Sequence, residues 1–314
     1  MSINVINTKP ELNIASIFST YRYPFSALFL MQKGYFPVQT NDITLTSNPS
    51  SPLVALCRNF TINSGVTYSK PYICITATNS ITINGDINVS SSGFLCRSFF
   101  LNKEKSLYID TSIYNDIPAG GGFKFYNVKS SGFGGGNAGG DPLSDHVNPP
   151  FNYRVLYTNF YQETNDLKQT TQSVQKAGGF ASGSGPNTGG IAVLCAPTIV
   201  INRNILAHGS DDMRYDNFAY GRGGGVIYIV GNTITIGNVS INAKGGNAIT
   251  SSNYQAYGGG GGFIVIAGTQ RITNNATINV NGGTASGGYQ NLNGQNGSLI
   301  IQTFSFDFDY TGNF

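Results

Sequence analysis

The densest group of ionisable side chains in the sequence is Asp211, Asp212 and Asp216, beside His208, Arg214 and Arg222. Carboxylates this close can hold a cation or act as an acid and base pair. A calcium loop needs a D-x-D-x-D-G spacing, which this stretch lacks, so a solvated polar loop is the plain alternative. Gly221-Arg-Gly-Gly-Gly225 has the composition of a phosphate cradle, but no G-K-[ST] follows and no nucleotide site is expected. His146 and His208 are the only histidines, too few to build a Ser-His-Asp constellation. Cys57, Cys74, Cys96 and Cys195 form no C-x-x-C pair and lack histidines at zinc-ligand spacing. Three of them sit in apolar runs (LVALC, YICIT, IAVLC), which suits small buried hydrophobes; a disulfide is the alternative, with a pairing one sequence does not reveal. No catalytic residue, metal or cofactor is expected from these groups.

The tyrosines form a different pattern. Tyr215, Tyr220, Tyr254, Tyr257 and Tyr289 are embedded in Gly, Asn, Ser and Gln. Adaptable recognition surfaces have this make-up, because Tyr supplies contact area at low entropic cost. With Arg214 and Arg222 they are the candidate binding set. The alternative is that the rings merely cover Gly-rich backbone. Five N-x-[ST] sites occur, at Asn59, Asn88, Asn238, Asn275 and Asn296; those inside strands are expected to be buried.

What must position these residues is a repeat. Gly190-IAVLCAPTIVINRNILAH-Gly209, Gly225-VIYIVGNTITIGNVSINAK-Gly245 and Gly262-FIVIAGTQRITNNATINVN-Gly282 align, and a fourth copy opens at Gly297. An earlier copy runs from Tyr72 to Ser92, with a shorter echo from Phe60. Each copy has a continuous apolar run such as Val226–Val230, a break at Gly231-Asn232, and an alternating run with Ile234 and Ile236 on one face and Thr233 and Thr235 on the other. A second break precedes Val239, Ile241 and Ala243. Period-2 alternation of β-branched residues is the strand signal, and Gly and Asn suit tight corners. The connections are poor helix formers, which excludes the helical repeat families. The fold expected is all-β: a right-handed parallel β-helix, or β-solenoid, of coils about 20 residues long. The Gly/Tyr-rich loops Ser210–Gly224, Gly246–Gly261 and Gly283–Asn296 leave each coil at the same corner and must stack on one side.

Four regions follow. Residues 1–50, with Phe18, Tyr21, Tyr23, Phe25, Leu28, Phe29, Tyr35 and Phe36, form an N-terminal segment that covers one end or contacts a partner. Residues 51–93 are the first coils. Residues 94–188 are a long Gly-rich insertion, either closely packed or disordered. Residues 189–314 carry the remaining coils and a capping strand in which Phe304, Phe306, Phe308 and Tyr310 alternate with Ser305, Asp307 and Asp309.

Composition removes other classes. Of 314 residues only 11% are charged, against 40% hydrophobic, which excludes a charged disordered tail. Only Glu11, Glu104 and Glu163 are glutamates, too few for a coiled coil. A net charge of +3 predicts no nucleic-acid binding. The opening MSINVINTKP is no signal peptide, and Phe25–Met31 is far shorter than the ~20 residues of a membrane span, so no membrane insertion is expected.

The stretch from Phe60 to Ser92, together with units such as GGGVIYIVGNTITIGNVSINAKGG, resembles the glycine-rich parallel β-helix proteins of viruses, among them phage tail-fibre adhesins and structural proteins of archaeal viruses. The resemblance covers about residues 53–93 and 189–314. It implies a non-enzymatic virion protein, tail-fibre- or spike-like, that sits on the virion surface or tail and meets a host surface glycan or protein through its stacked loops. Residues 1–50 would then join other virion proteins, and the chain could form a homo-oligomer. Two alternatives stay open: a carbohydrate-active β-helix enzyme using Asp211, Asp212 or Asp216, and a purely structural capsid or appendage subunit.

Overall fold

A computed structural model of the chain describes residues 24–91, 123–125, 128–130, 189–214 and 218–304. Seven strands lie side by side in chain order, all parallel: Asp42–Leu45, Leu53–Ile62, Tyr72–Ile83, Ile191–Ile201, Val226–Ile236, Phe263–Asn274 and Ser298–Thr303. This is the spine sheet. A second all-parallel sheet holds Thr67–Ser69, Asp86–Asn88, Ile205–Leu206, Ser240–Asn242 and Thr277–Asn279. From Leu53 onward each spine strand is followed by a strand of the second sheet, up to Thr277–Asn279, so the backbone winds and its turns stack in register, as in a parallel β-solenoid. Ile191, Val226, Phe263 and Ser298 each follow a repeat-opening glycine and pair directly across turns. Tyr72 pairs with Ile191, so the chain resumes beside the strand it left before the insertion. Within the insertion, Phe123–Phe125 and Val128–Ser130 pair as an antiparallel hairpin.

Turn length departs from the expected ~20 residues. That spacing holds early, where Leu53 pairs with Ile73. After Ile191, equivalent residues lie 35 to 37 positions apart. The reason is that the Gly/Tyr-rich excursions are wound into the turn. Each contributes two short strands: Asp212–Arg214 and Ala219–Tyr220 in the first, Ala248–Thr250 and Gln255–Tyr257 in the second, Ala285–Ser286 and Gln290–Leu292 in the third. These pair across turns as two further three-stranded parallel sheets.

Side-chain alternation fixes the cores. Ile227, Ile229, Ile234 and Ile236 point into the solenoid, where all four are fully buried with their counterparts in neighbouring turns. The break at Gly231-Asn232 shifts the parity, which keeps both halves of the strand facing inward. Full burial of each such side chain is worth about 1.5–3 kcal/mol. The outward residues of the first half, Val226, Tyr228 and Val230, are also buried, in a second core. Its cover is the helix Phe25–Gln32, through Phe25, Ala27 and Leu28, joined by Phe36 and Phe304. The described part of the N-terminal segment thus lies on the flank of the spine sheet and adds the edge strand Asp42–Leu45. A strand buried on both faces reads as a continuous apolar run. The second half of the outer face carries the ranks Asp42, Asn59, Ser80, Thr198, Thr233, Arg271 and Thr44, Thr61, Thr82, Val200, Thr235, Thr273.

Asparagines finish the corners. The Asn242, Asn279 and Asn88 side chains each accept the backbone N–H two residues on, at 2.9, 2.9 and 3.0 Å, forming Asx turns at equivalent places. Asn204 donates to Asp86 and accepts from the Ser240 N–H at 2.8 Å, tying three turns together. Cys57, Cys74 and Cys195 are free and buried. Burial pushes the Cys57 thiol up to about 11, with the Asp42 charge adding to it, and the Cys74 thiol up to about 12; it raises Cys195 too. Cys96, residues 1–23 and the strand expected after Phe304 lie outside the described residues, as does most of 94–188.

Candidate recognition surface

The excursions are joined by backbone. Each has an outgoing leg (Gly209-Ser210, Gly245-Gly246, Gly282-Gly283) and a return leg (Gly221-Arg222, Gly258-Gly259, Gly294). A chain of hydrogen bonds alternates between them: Arg222 N–H to Ser210 at 3.1 Å, Gly246 to Arg222 at 2.7 Å, Gly259 to Gly246 at 3.0 Å, Gly283 to Gly259 at 2.7 Å and Gly294 to Gly283 at 2.9 Å. At the glycines of the second and third excursions the legs approach so closely that no larger residue fits. A Cβ on Gly283 would lie 1.7 Å from the Gly246 carbonyl oxygen, and one on Gly259 would lie 2.1 Å from that of Arg222. The result is a layer of backbone with its polar groups paired, a stiff base for whatever the tips carry.

Side chains extend the cross-turn bonding. Asp211 accepts the Asn247 N–H at 2.7 Å, and Asn247 accepts the Thr284 N–H at 2.9 Å, three equivalent positions in succession. Asp212 accepts the Tyr220 N–H at 2.9 Å through one oxygen and the Arg214 Nε at 3.0 Å through the other. These two carboxylates are therefore engaged in holding the excursion together. Among the described residues no group of three or more potential metal ligands forms.

The candidate tyrosines divide by depth. Tyr220 and Tyr257 are buried, their rings parallel with centroids 5.3 Å apart. Burial and then the nearby Tyr289 phenol raise the Tyr257 hydroxyl above its ordinary value. Arg222 is buried as well; burial lowers its guanidinium from the usual value while the Asp212 charge acts the other way. These three are packed inside the face rather than on its surface. Tyr254 is half-buried, braced edge-on by the Phe218 ring at 5.9 Å. Tyr289 is 64% exposed, and its N–H bonds to the Tyr254 carbonyl at 3.0 Å, placing the two one turn apart. Arg214 is half-buried and tied to Asp212. Tyr215 and Asp216 lie outside the described residues.

Sequence reasoning passed over several contributors. Met213 is 58% exposed on the first excursion. Gln255 and Gln290 pair in register, the Gln255 amide donating to Gln290 at 2.6 Å while the Tyr257 hydroxyl donates to Gln255. Their separation equals the repeat length, a signal the sequence did contain. Of the N-x-[ST] sites, Asn59 and Asn88, inside strands, are half-buried where burial was expected; Asn238, Asn275 and Asn296 are exposed. Comparison with protein-family models, with curated proteins and with solved structures finds no match to this chain.

Proposed function

We propose that the protein is a non-enzymatic virion component, a tail-fibre- or spike-like adhesin whose excursion face meets a host surface. One observation carries the reading: three successive turns bring their Gly/Tyr-rich tips together on a glycine backbone ladder, with Tyr289 and Met213 exposed. A binding face that is ordered in advance loses little conformational entropy on contact. The likeness of the repeat to glycine-rich viral β-helix proteins supports the same assignment. The winding is taken as right-handed, by the crossover rule for parallel strands. The helix Phe25–Gln32 is engaged with its own spine sheet, so contact with other virion proteins is assigned to the rest of residues 1–50, and a fibre would contain several copies of the chain.

Cleavage of polysaccharide is the weaker reading. On the two solvent-facing ranks of the spine sheet Asp42 is the sole carboxylate, and it is paired with Arg58 at 2.7 Å. Glycoside hydrolysis commonly uses two carboxylates flanking the bond.

Electron microscopy of virus particles labelled with antibody to this chain tests the proposal. Label on a tail, fibre or spike is the expected result, and particles without surface label would overturn it. Adhesion is then read as binding of the purified protein to host cells, with Tyr289→Ala weakening it; unchanged binding would remove the excursion face from that role.

A further inference from the structure

We propose that the excursion face takes an uncharged carbohydrate chain. The proposal rests on the adhesin reading for the location of the site and adds its ligand class.

Charge is the first argument. Residues 246–261 and 283–296 contain no Asp, Glu, Lys, Arg or His. In the first excursion, Asp212 and Arg214 neutralise each other, Asp211 accepts a backbone N–H from the next turn and Arg222 is buried, while Asp216 lies outside the described residues. An anionic or cationic ligand would lose its hydration here and find no free counter-charge across the second and third turns, a costly exchange. The groups on offer are the second argument. Tyr289 exposes an aromatic ring, and Tyr254 one turn away is held by Phe218. Beside them the relay from the Tyr257 hydroxyl through Gln255 to Gln290 ends at an exposed amide. A pyranose ring has an apolar C–H face for an aromatic ring and hydroxyl groups that an amide can both donate to and accept from. Size is the third argument. Three turns at ~4.8 Å spacing make a strip roughly 10–15 Å wide. A strip of that width matches the breadth of a carbohydrate chain a few sugar units long.

The test uses the full chain on immobilised neutral gluco-, manno- and galacto-oligosaccharides, with sialylated and sulfated oligosaccharides for comparison. The expected result is binding to at least one neutral series, the same at low and high salt, because no screened ion pair contributes. Tyr289→Ala and Gln290→Ala should each weaken it about tenfold, the scale of a single interface anchor. Binding confined to the charged oligosaccharides, or abolished by salt, would overturn the proposal. Host-cell binding separates it from the adhesin reading. Cell binding that survives periodate oxidation of surface sugars but is lost on protease treatment refutes the carbohydrate assignment and leaves adhesion standing. Oligosaccharide binding without cell binding refutes adhesion and leaves the carbohydrate assignment standing.

Discussion

Replacing Gly283 with alanine should break the junction between the second and third excursions. The added Cβ would sit 1.7 Å from the Gly246 carbonyl oxygen, a distance at which one of the two backbones must move by more than an ångström. Two hydrogen bonds depend on that backbone, Gly283 N–H to Gly259 at 2.7 Å and Gly294 N–H to Gly283 at 2.9 Å. Overpacking of this kind costs about 1–3 kcal/mol. Each weakened hydrogen bond adds about 1 kcal/mol. A loss of about 3–5 kcal/mol corresponds to a fall in Tm of roughly 10 °C for a domain of this size. Gly237→Ala is the matched control, since its Cβ would meet nothing closer than the Ile201 carbonyl oxygen at 3.5 Å. Its effect should stay within about 0.5 kcal/mol, the range of a neutral surface change. Scanning calorimetry on the three proteins gives the answer. Equal melting temperatures for Gly283→Ala and Gly237→Ala would refute the close approach of the excursion legs.

The helix over the spine sheet makes a second target: Leu28→Ala, at a fully buried position, should cost about 2–5 kcal/mol in chemical denaturation, and a helix deletion should expose Val226, Tyr228 and Val265 and raise binding of a hydrophobic dye. Thiol labelling of Cys57, Cys74 and Cys195 should be slow in the native protein and rapid once it is unfolded. Because folding raises the thiol pKa of Cys57 from 9.0 to about 11 and of Cys74 from 9.0 to about 12, their contribution to stability is complete below pH 9 and is lost as pH climbs through those folded values. A denaturation series from neutral to strongly alkaline pH should show that decline. Asp212→Ala removes the carboxylate that accepts from the Tyr220 N–H and from Arg214, and should lower stability by about 1–3 kcal/mol, read by urea denaturation; an unchanged midpoint would mean that Asp212 is not holding the excursion together.

The winding was legible because its signal is a period. Thr233–Ile236 alternates strictly, and the residues that follow Gly190, Gly225, Gly262 and Gly297 turn out to be direct partners across the stack. Turn length was misread for a physical reason. Strands of two or three residues, such as Ala219–Tyr220 and Ala285–Ser286, are too short to carry a period, and what holds them is the approach of glycine backbones, which leaves no pattern of side chains. The covering helix was missed in a related way. The uninterrupted run Val226–Val230 already implied a second buried face, yet nothing local to it identifies Phe25–Gln32, some two hundred residues earlier, as the cover. The tyrosines were recognisable as a group, but their depth was not. Tyr220 and Tyr257 are interchangeable with Tyr254 and Tyr289 in local composition, and only the register of the excursion strands turns one pair inward.

Asn202 reaches Asn84 across 118 positions of chain, and the two rungs dock as though nothing lay between them. Closing so long a segment costs only about 0.6 kcal/mol more for each doubling of its length. The seam between those rungs is therefore a natural port for foreign sequence. A receptor-binding module or an epitope spliced in there could be exchanged freely, while the stack on either side kept its own geometry.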